Sequence, residues 1–130
     1  MPYQQKSGLS TTAAYQVSGA PFASGSIDST GGPTMVQFPR VTRWITVQNH
    51  DVANDLFCAF SENALPSNGG TNHFMLADAA SNAYWSMPRL EIKVTEMWFE
   101  GSDDFDVIAG LTGISNSEIQ NNWSGSLGVG

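Results

Sequence analysis

A single cysteine, Cys58, stands in a chain of 130 residues, which excludes an internal disulfide framework. It falls in the apolar run Leu56-Phe57-Cys58-Ala59-Phe60, where a small buried side chain is the expected role. Positive charge is nearly as scarce: five Lys and Arg stand against twelve Asp and Glu, for a formal net charge of -7. Most of the molecule's field would repel a phosphate backbone, so direct nucleic-acid binding is not expected. Charged residues of both signs make up 13%, about half of the roughly 25% usual in soluble domains. Ser, Thr, Asn and Gly fill the difference, so the expected surface is polar but mostly neutral. No run approaches the ~18 consecutive apolar residues of a membrane helix, and the opening stretch has no apolar core of a signal peptide. Neither membrane insertion nor secretion is expected.

The chemistry-bearing residues are equally sparse. His50 and His73 are the only histidines, and neither stands at zinc-ligand spacing from the other or from Cys58. No Gly-x-Ser-x-Gly elbow occurs, nor a phosphate-cradling glycine loop with its lysine. The run Asp103-Asp104-Phe105-Asp106 gathers three carboxylates of the kind that hard cations favour. It lacks the pattern of a calcium-binding helix-loop-helix and reads as solvated turn acids. A glycosidase pair among Glu62, Glu91, Glu96 and Glu100 would need the fold to converge two of them. The expectation is a protein with no catalytic residues, no metal ligands and no cofactor.

What the chain does have is hydrophobic residues at 41% and aromatics at 11%, enough for one compact core. Their dominant period is two. In Leu90-Glu91-Ile92-Lys93-Val94-Thr95 every second residue is aliphatic, which makes this the clearest predicted strand. The phase changes near Thr95-Glu96, where a bulge or bend is expected, and Met97 and Phe99 then oppose Glu96, Trp98 and Glu100. Phe105, Val107, Ala109 and Leu111 form another alternating set beyond a turn at Gly101-Ser102-Asp103-Asp104. A strand from Val41 to Gln48 puts Val41, Arg43, Ile45 and Val47 on one side and Thr42, Trp44 and Thr46 on the other. Leu56 to Ser61 is its expected hairpin partner. Further strands are expected at Ala14 to Ser18, Phe22 to Ile27, Thr34 to Phe38, His73 to Leu76 and Ala83 to Ser86, with a short helical turn allowed at Ala77 to Asn82. Short strands separated by Gly, Pro, Asn and Ser clusters are the pattern of an antiparallel β-sandwich or barrel.

The ends differ from the middle. Residues 1–12 are polar and read as an N-terminal tail, 13–114 as the β-sandwich domain, and 115–130 as a C-terminal tail. The latter carries Ile119, Trp123, Leu127 and Val129, too sparse for a core and spaced like anchors on a partner. Trp44 and Trp98 fall on the polar sides of their strands and, if uncovered, would form an apolar patch for protein contact or sugar stacking. Tyr84 and Trp85 are placed at the end of the sandwich.

The block from Phe38 to Asn49 (FPRVTRWITVQN), with Leu56 to Asn63, Asn72 to Leu76, Leu90 to Gly101 and Phe105 to Ile114, resembles small structural proteins of tailed phages and other large double-stranded DNA viruses. The likeness spans about residues 34–114 and lies in strand rhythm and phrase. It implies a jelly-roll-like sandwich with extended tails, acting as a capsid cement, decoration or minor capsid protein. The expected partners are the major capsid protein or other virion proteins and further copies of the chain. The expected location is the virion, assembled in the host cytoplasm. A carbohydrate-binding sandwich, stacking sugars on Trp44, Trp98 or Tyr84, is the alternative.

Overall fold

Alternating apolar residues become eight strands in the computed structural model, whose described residues are 19–80 and 85–118. In chain order they are β1 (Ala20–Ile27), β2 (Thr34–Gln37), β3 (Thr42–Asn49), β4 (Leu56–Ala59), β5 (Phe74–Leu76), β6 (Trp85–Ser86), β7 (Glu96–Glu100) and β8 (Phe105–Leu111). Helical structure among the described residues is confined to 3-10 turns at Glu62–Ala64, Pro66–Asn68 and Asn116–Glu118. None of it is long and apolar enough to cross a membrane. The strands form two four-stranded sheets, in the orders β1-β8-β3-β6 and β2-β7-β4-β5, with every neighbouring pair antiparallel. The molecule is an all-β sandwich.

The core sits between the sheets and is filled by the inward halves of the alternating strands. Ile45, Val47, Phe105, Val107, Ala109 and Leu111 of the first sheet meet Val36, Leu56, Cys58, Met97 and Phe99 of the second. Phe99 and Phe105 pack with ring centroids 4.8 Å apart, and Phe22 stands edge-on to Phe38 at 5.1 Å. Each such large side chain withdrawn from water contributes about 1.5–3 kcal/mol, so these contacts hold the two layers together. Cys58 is fully buried among them, and burial pushes its thiol well above the ordinary range.

Four readings of the sequence need correction. Leu90 to Thr95 is not a regular strand. It meets β3 at an isolated bridge, in which Ile45 and Leu90 exchange N–H···O bonds of 2.9 and 2.8 Å, and at a single bond from the Thr42 N–H to the Val94 carbonyl at 3.1 Å, and then leaves the first sheet to enter the second as β7. A segment passing between layers cannot keep a ladder with either. Its alternation reports inward burial alone, for Val94 is buried and Ile92 packs on the core. The expected phase change is the corner where this crossing ends and β7 begins.

Thr42, placed with Trp44 on the outer side, is fully buried. The β3–β8 register shifts between Thr42 and Trp44, so one extra residue turns Thr42 inward. There its hydroxyl donates to the Ile92 carbonyl at 2.7 Å and accepts the Val94 N–H at 3.0 Å, replacing the ladder that the crossing segment lacks.

The expected β3–β4 hairpin does not form, because β3 and β4 belong to opposite sheets. The connection is instead an arch. Asn49 donates through Nδ2 to the carbonyls of Asn54, Leu76 and Ala77, and Asp51 caps the arch from within, accepting the Ala53 and Asn54 N–H groups at 2.8 and 3.0 Å. Residues 77–80 form a loop closing in a turn rather than a helix, since Asp55 and Asp78 accept the N–H groups of Asp78 and Ala80. The strand expected at Ala14 to Ser18 lies outside the described residues, as does Tyr84.

Candidate functional site

The two tryptophans singled out from the sequence stand on opposite outer faces. Trp44, on β3, is half-buried on the first sheet, opposite Gly110, with the Arg89 guanidinium 5.9 Å from its ring centre. Trp98, on β7, is half-buried on the second sheet, and its indole N–H donates to Glu96 Oε2 at 2.7 Å. The two rings therefore cannot share one patch, as the sequence reading allowed, because β3 and β7 lie in different layers. Ile119, Trp123, Leu127 and Val129 lie outside the described residues.

The outer face of the second sheet is partly covered by the chain itself. The β4–β5 connection folds back so that Ala64 and Leu65 bury Ala59 and pack on Phe57 and Trp98. This return is tight at Gly70, where a Cβ would stand 2.2 Å from the Asn63 carbonyl, so any side chain there would unseat the turn. His73 Nδ1 lies 2.8 Å from the Ala64 carbonyl, and the His73 ring stands edge-on to Phe57 at 5.5 Å. Beyond this cover, Met35 on β2 and Met75 on β5 remain 42% and 50% exposed. They flank Trp98 and Phe57 as cross-strand neighbours.

Charge is divided between the two ends of the sandwich. The β1–β2, β3–β4, β5–β6 and β7–β8 connections gather at one end and are tied together. Ser29 N–H donates to the Ser102 carbonyl, Asp103 N–H to Asp51 Oδ2, and Asp78 N–H to Asp55 Oδ1. Asp28, Asp51, Asp55, Asp78, Asp103 and Asp104 lie in these loops, with Glu100 and Asp106 on the adjoining strand ends. The four described cations, Arg40, Arg43, Arg89 and Lys93, lie toward the opposite end, where Glu91 pairs with both Arg43 and Arg89.

Several loop acids are committed to holding the backbone. For Asp51, only 4% exposed, loss of water would raise the carboxyl. Hydrogen bonds from the Asp103, Ala53 and Asn54 N–H groups and the Asn54 side chain outweigh that and hold it well below the usual carboxylate range. Asp106 accepts the Ser26 N–H at 2.9 Å and pairs with His50 Nε2 at 2.9 Å. Ser26 sits at a positive φ of 54°, just where β1 slips register against β8. Asp28 is lowered by the Thr30 hydroxyl and N–H. Among the described residues, no group of three or more His, Cys, Asp or Glu converges with the geometry of a metal site.

Two concavities among the described residues exceed 300 Å³. An apolar hollow of about 430 Å³ opens between the β5 edge and the segment after β6, lined by Phe60, Phe74, Met87, Pro88, Leu90 and Ile92, with Arg89 beside them. A second cleft, of about 400 Å³, lies at the acidic end between the β1–β2 loop, the end of β7 and the Pro66 turn. Ser29, Thr30, Phe57, Ser67, Glu100 and Gly101 line it. Gly101 takes φ 102°, and a Cβ there would meet the Asp55 carbonyl at 2.7 Å, so only glycine lets β7 end this close to the neighbouring arch. Sequence reasoning placed Glu100 outside the core but had no signal that it joins Phe57, since strand register alone sets them side by side. In comparisons with protein-family models, with curated proteins and with solved structures, the chain matches none.

Proposed function

We propose that this chain is a virion structural protein, a jelly-roll cement or decoration subunit that stabilises capsid subunits by surface contact and without catalysis. The observation that carries the reading is the strand order. Orders of β1-β8-β3-β6 and β2-β7-β4-β5 are what an eight-stranded chain folded as two Greek keys produces, the arrangement of jelly rolls in capsid and lectin domains. The committed acids support it: Asp51, Asp55 and Asp106 hold loop backbone in place rather than facing one another across a reaction centre. The exposed methionines flanking Trp98 and Phe57 supply adaptable apolar area for lateral contacts with capsid proteins or with further copies of the chain. Standard contacts of about 1,600 Å² each, repeated over a shell, add stability without a tight single site.

Mass spectrometry and cryo-electron microscopy of purified particles from the source virus test this. The expected result is the chain present at a fixed copy number per capsid and seated on the shell through a sheet face or arms. Its absence from purified particles would overturn the reading. A chain lacking residues 119–130 should keep the fold, because the last described contacts, Asn116 Nδ2 to the Phe38 carbonyl and Val41 N–H to the Ile114 carbonyl, remain. Its occupancy on particles should fall. The half-exposed Trp44 ring favours the carbohydrate-binding alternative. Glycan-array binding lost in Trp44→Ala would decide for it.

A further inference from the structure

The cleft at the acidic end holds a charge that its surroundings answer only in part. Glu100 keeps 9% exposure, and its Oε1 accepts the Ser67 N–H at 2.9 Å. Its other oxygen, Oε2, accepts no hydrogen bond from any described residue. It is not sealed off as an orphan atom, so it stays open to a ligand in the cleft, and a carboxylate with most of its residue surface withdrawn from water gains from a cation placed against it. The four described cations lie toward the other end of the sandwich. The local field is strongly negative, and Asp103 registers it. Contact with the Asp51 carboxylate, then lost water, then the charges of Asp51, Asp28 and Asp104 raise its carboxyl above the ordinary value.

Strand register places an aromatic ring beside this carboxylate. Phe57 on β4 and Glu100 on β7 are direct cross-strand partners, a relation that brings Cβ atoms to about 4.5–5.5 Å on one face of a sheet. Both line the cleft, with Pro66 and the Thr30 and Ser67 side chains around them. We propose that this cleft is a binding site for an organic cation, the ammonium or guanidinium group that ends a lysine or arginine side chain. The charge pairs with Glu100 Oε2, the head group lies against the Phe57 ring, and the Thr30 and Ser67 hydroxyl oxygens accept its remaining N–H groups. The cleft's 400 Å³ falls within the range of small-ligand sites, roughly 300–1,000 Å³. Neutral sugar hydroxyls would also donate to Oε2, but they would leave the charge unanswered. This inference does not rest on the virion reading.

The test is a two-dimensional NMR titration of the whole isotope-labelled chain at low salt. The probes are N-acetyl-lysine methylamide, N-acetyl-arginine methylamide, n-butylammonium, the uncharged N-acetyl-citrulline methylamide and methyl glucoside. The two cationic amino-acid probes should give saturable shifts at the Thr30, Ser67 and Gly101 amides, with dissociation constants of about 1 mM, while the citrulline probe stays silent. Glu100→Gln should weaken binding about tenfold or more, and Phe57→Leu about threefold. Thr30→Arg, at an exposed rim position, should fill the cleft with its own guanidinium and abolish the response, which keeps the test valid if Glu100→Gln fails to fold. Amino-acid probes binding tenfold tighter than n-butylammonium would point to a protein partner, and equal affinities to a free amine; both uphold the site. Shifts spread evenly over the Asp103 and Asp104 amides and indifferent to both Glu100→Gln and Thr30→Arg would reduce the effect to diffuse attraction and overturn the proposal. Tighter binding of methyl glucoside than of the cations would overturn it as well.

Discussion

Asp51 accepts four hydrogen bonds at 2.8–3.0 Å while almost fully buried, two on each oxygen, and so ties the β3–β4 arch to the β7–β8 turn. Its folded carboxyl is held below the unfolded value of about 3.9, so the stability it contributes is complete above that pH and is lost as the carboxyl protonates on further acidification. Asp51→Asn keeps one acceptor of two and turns the other into a donor facing N–H groups. It should cost about 1–3 kcal/mol near neutral pH, read from urea unfolding midpoints. The same midpoints followed from pH 6 to pH 2 should fall more steeply in the wild type than in the variant; parallel curves would remove Asp51 from this role. Cys58 illustrates the opposite balance. Burial alone raises its thiol, so the native protein should resist a thiol-reactive dye at pH 8 and react at once in denaturant.

At the level of elements, the crossing segment between β6 and β7 depends on one side chain. Thr42→Val would fill the same space but strand the Val94 N–H and the Ile92 carbonyl. A loss of about 1–3 kcal/mol is expected in chemical denaturation. Glu91→Gln, which breaks the surface pairs with Arg43 and Arg89, should change stability by less than about 1 kcal/mol. The contrast separates a buried hydroxyl bridging two layers from ion pairs made in water. It also explains why the segment misleads on sequence: Leu90, Ile92 and Val94 alternate because their side chains point inward, whatever their backbones bond to.

For the whole molecule, the sheet orders set eight acids at one end with no described cation among them. Asp103 registers this crowding: contact with the Asp51 carboxylate first, then lost water, then the charges of Asp51, Asp28 and Asp104 raise its carboxyl. A carboxyl raised in the folded state is one whose charge opposes folding at neutral pH. Asp103→Asn should therefore raise the melting temperature at low ionic strength, and the gain should shrink as salt screens the field over about 10 Å at 0.1 M. A melting temperature unaffected by both salt and substitution would show that the acidic end carries no repulsive strain.

The place of most described strands and the inward faces of β7 and β8 were legible from period-two alternation, and the burial of Cys58 from its apolar run, because the alternation of side chains between two faces is a local property of an extended chain. Partnership was not. That β3 and β4 part into opposite layers, that Leu90 to Thr95 crosses between them, and that Phe57 stands beside Glu100 depend on which strands hydrogen-bond. Pairing is decided by long-range packing of the two layers rather than by neighbours along the chain. The acidic end arises the same way: its carboxylates are scattered over the sequence and meet only because alternate connections return to one end of the sandwich.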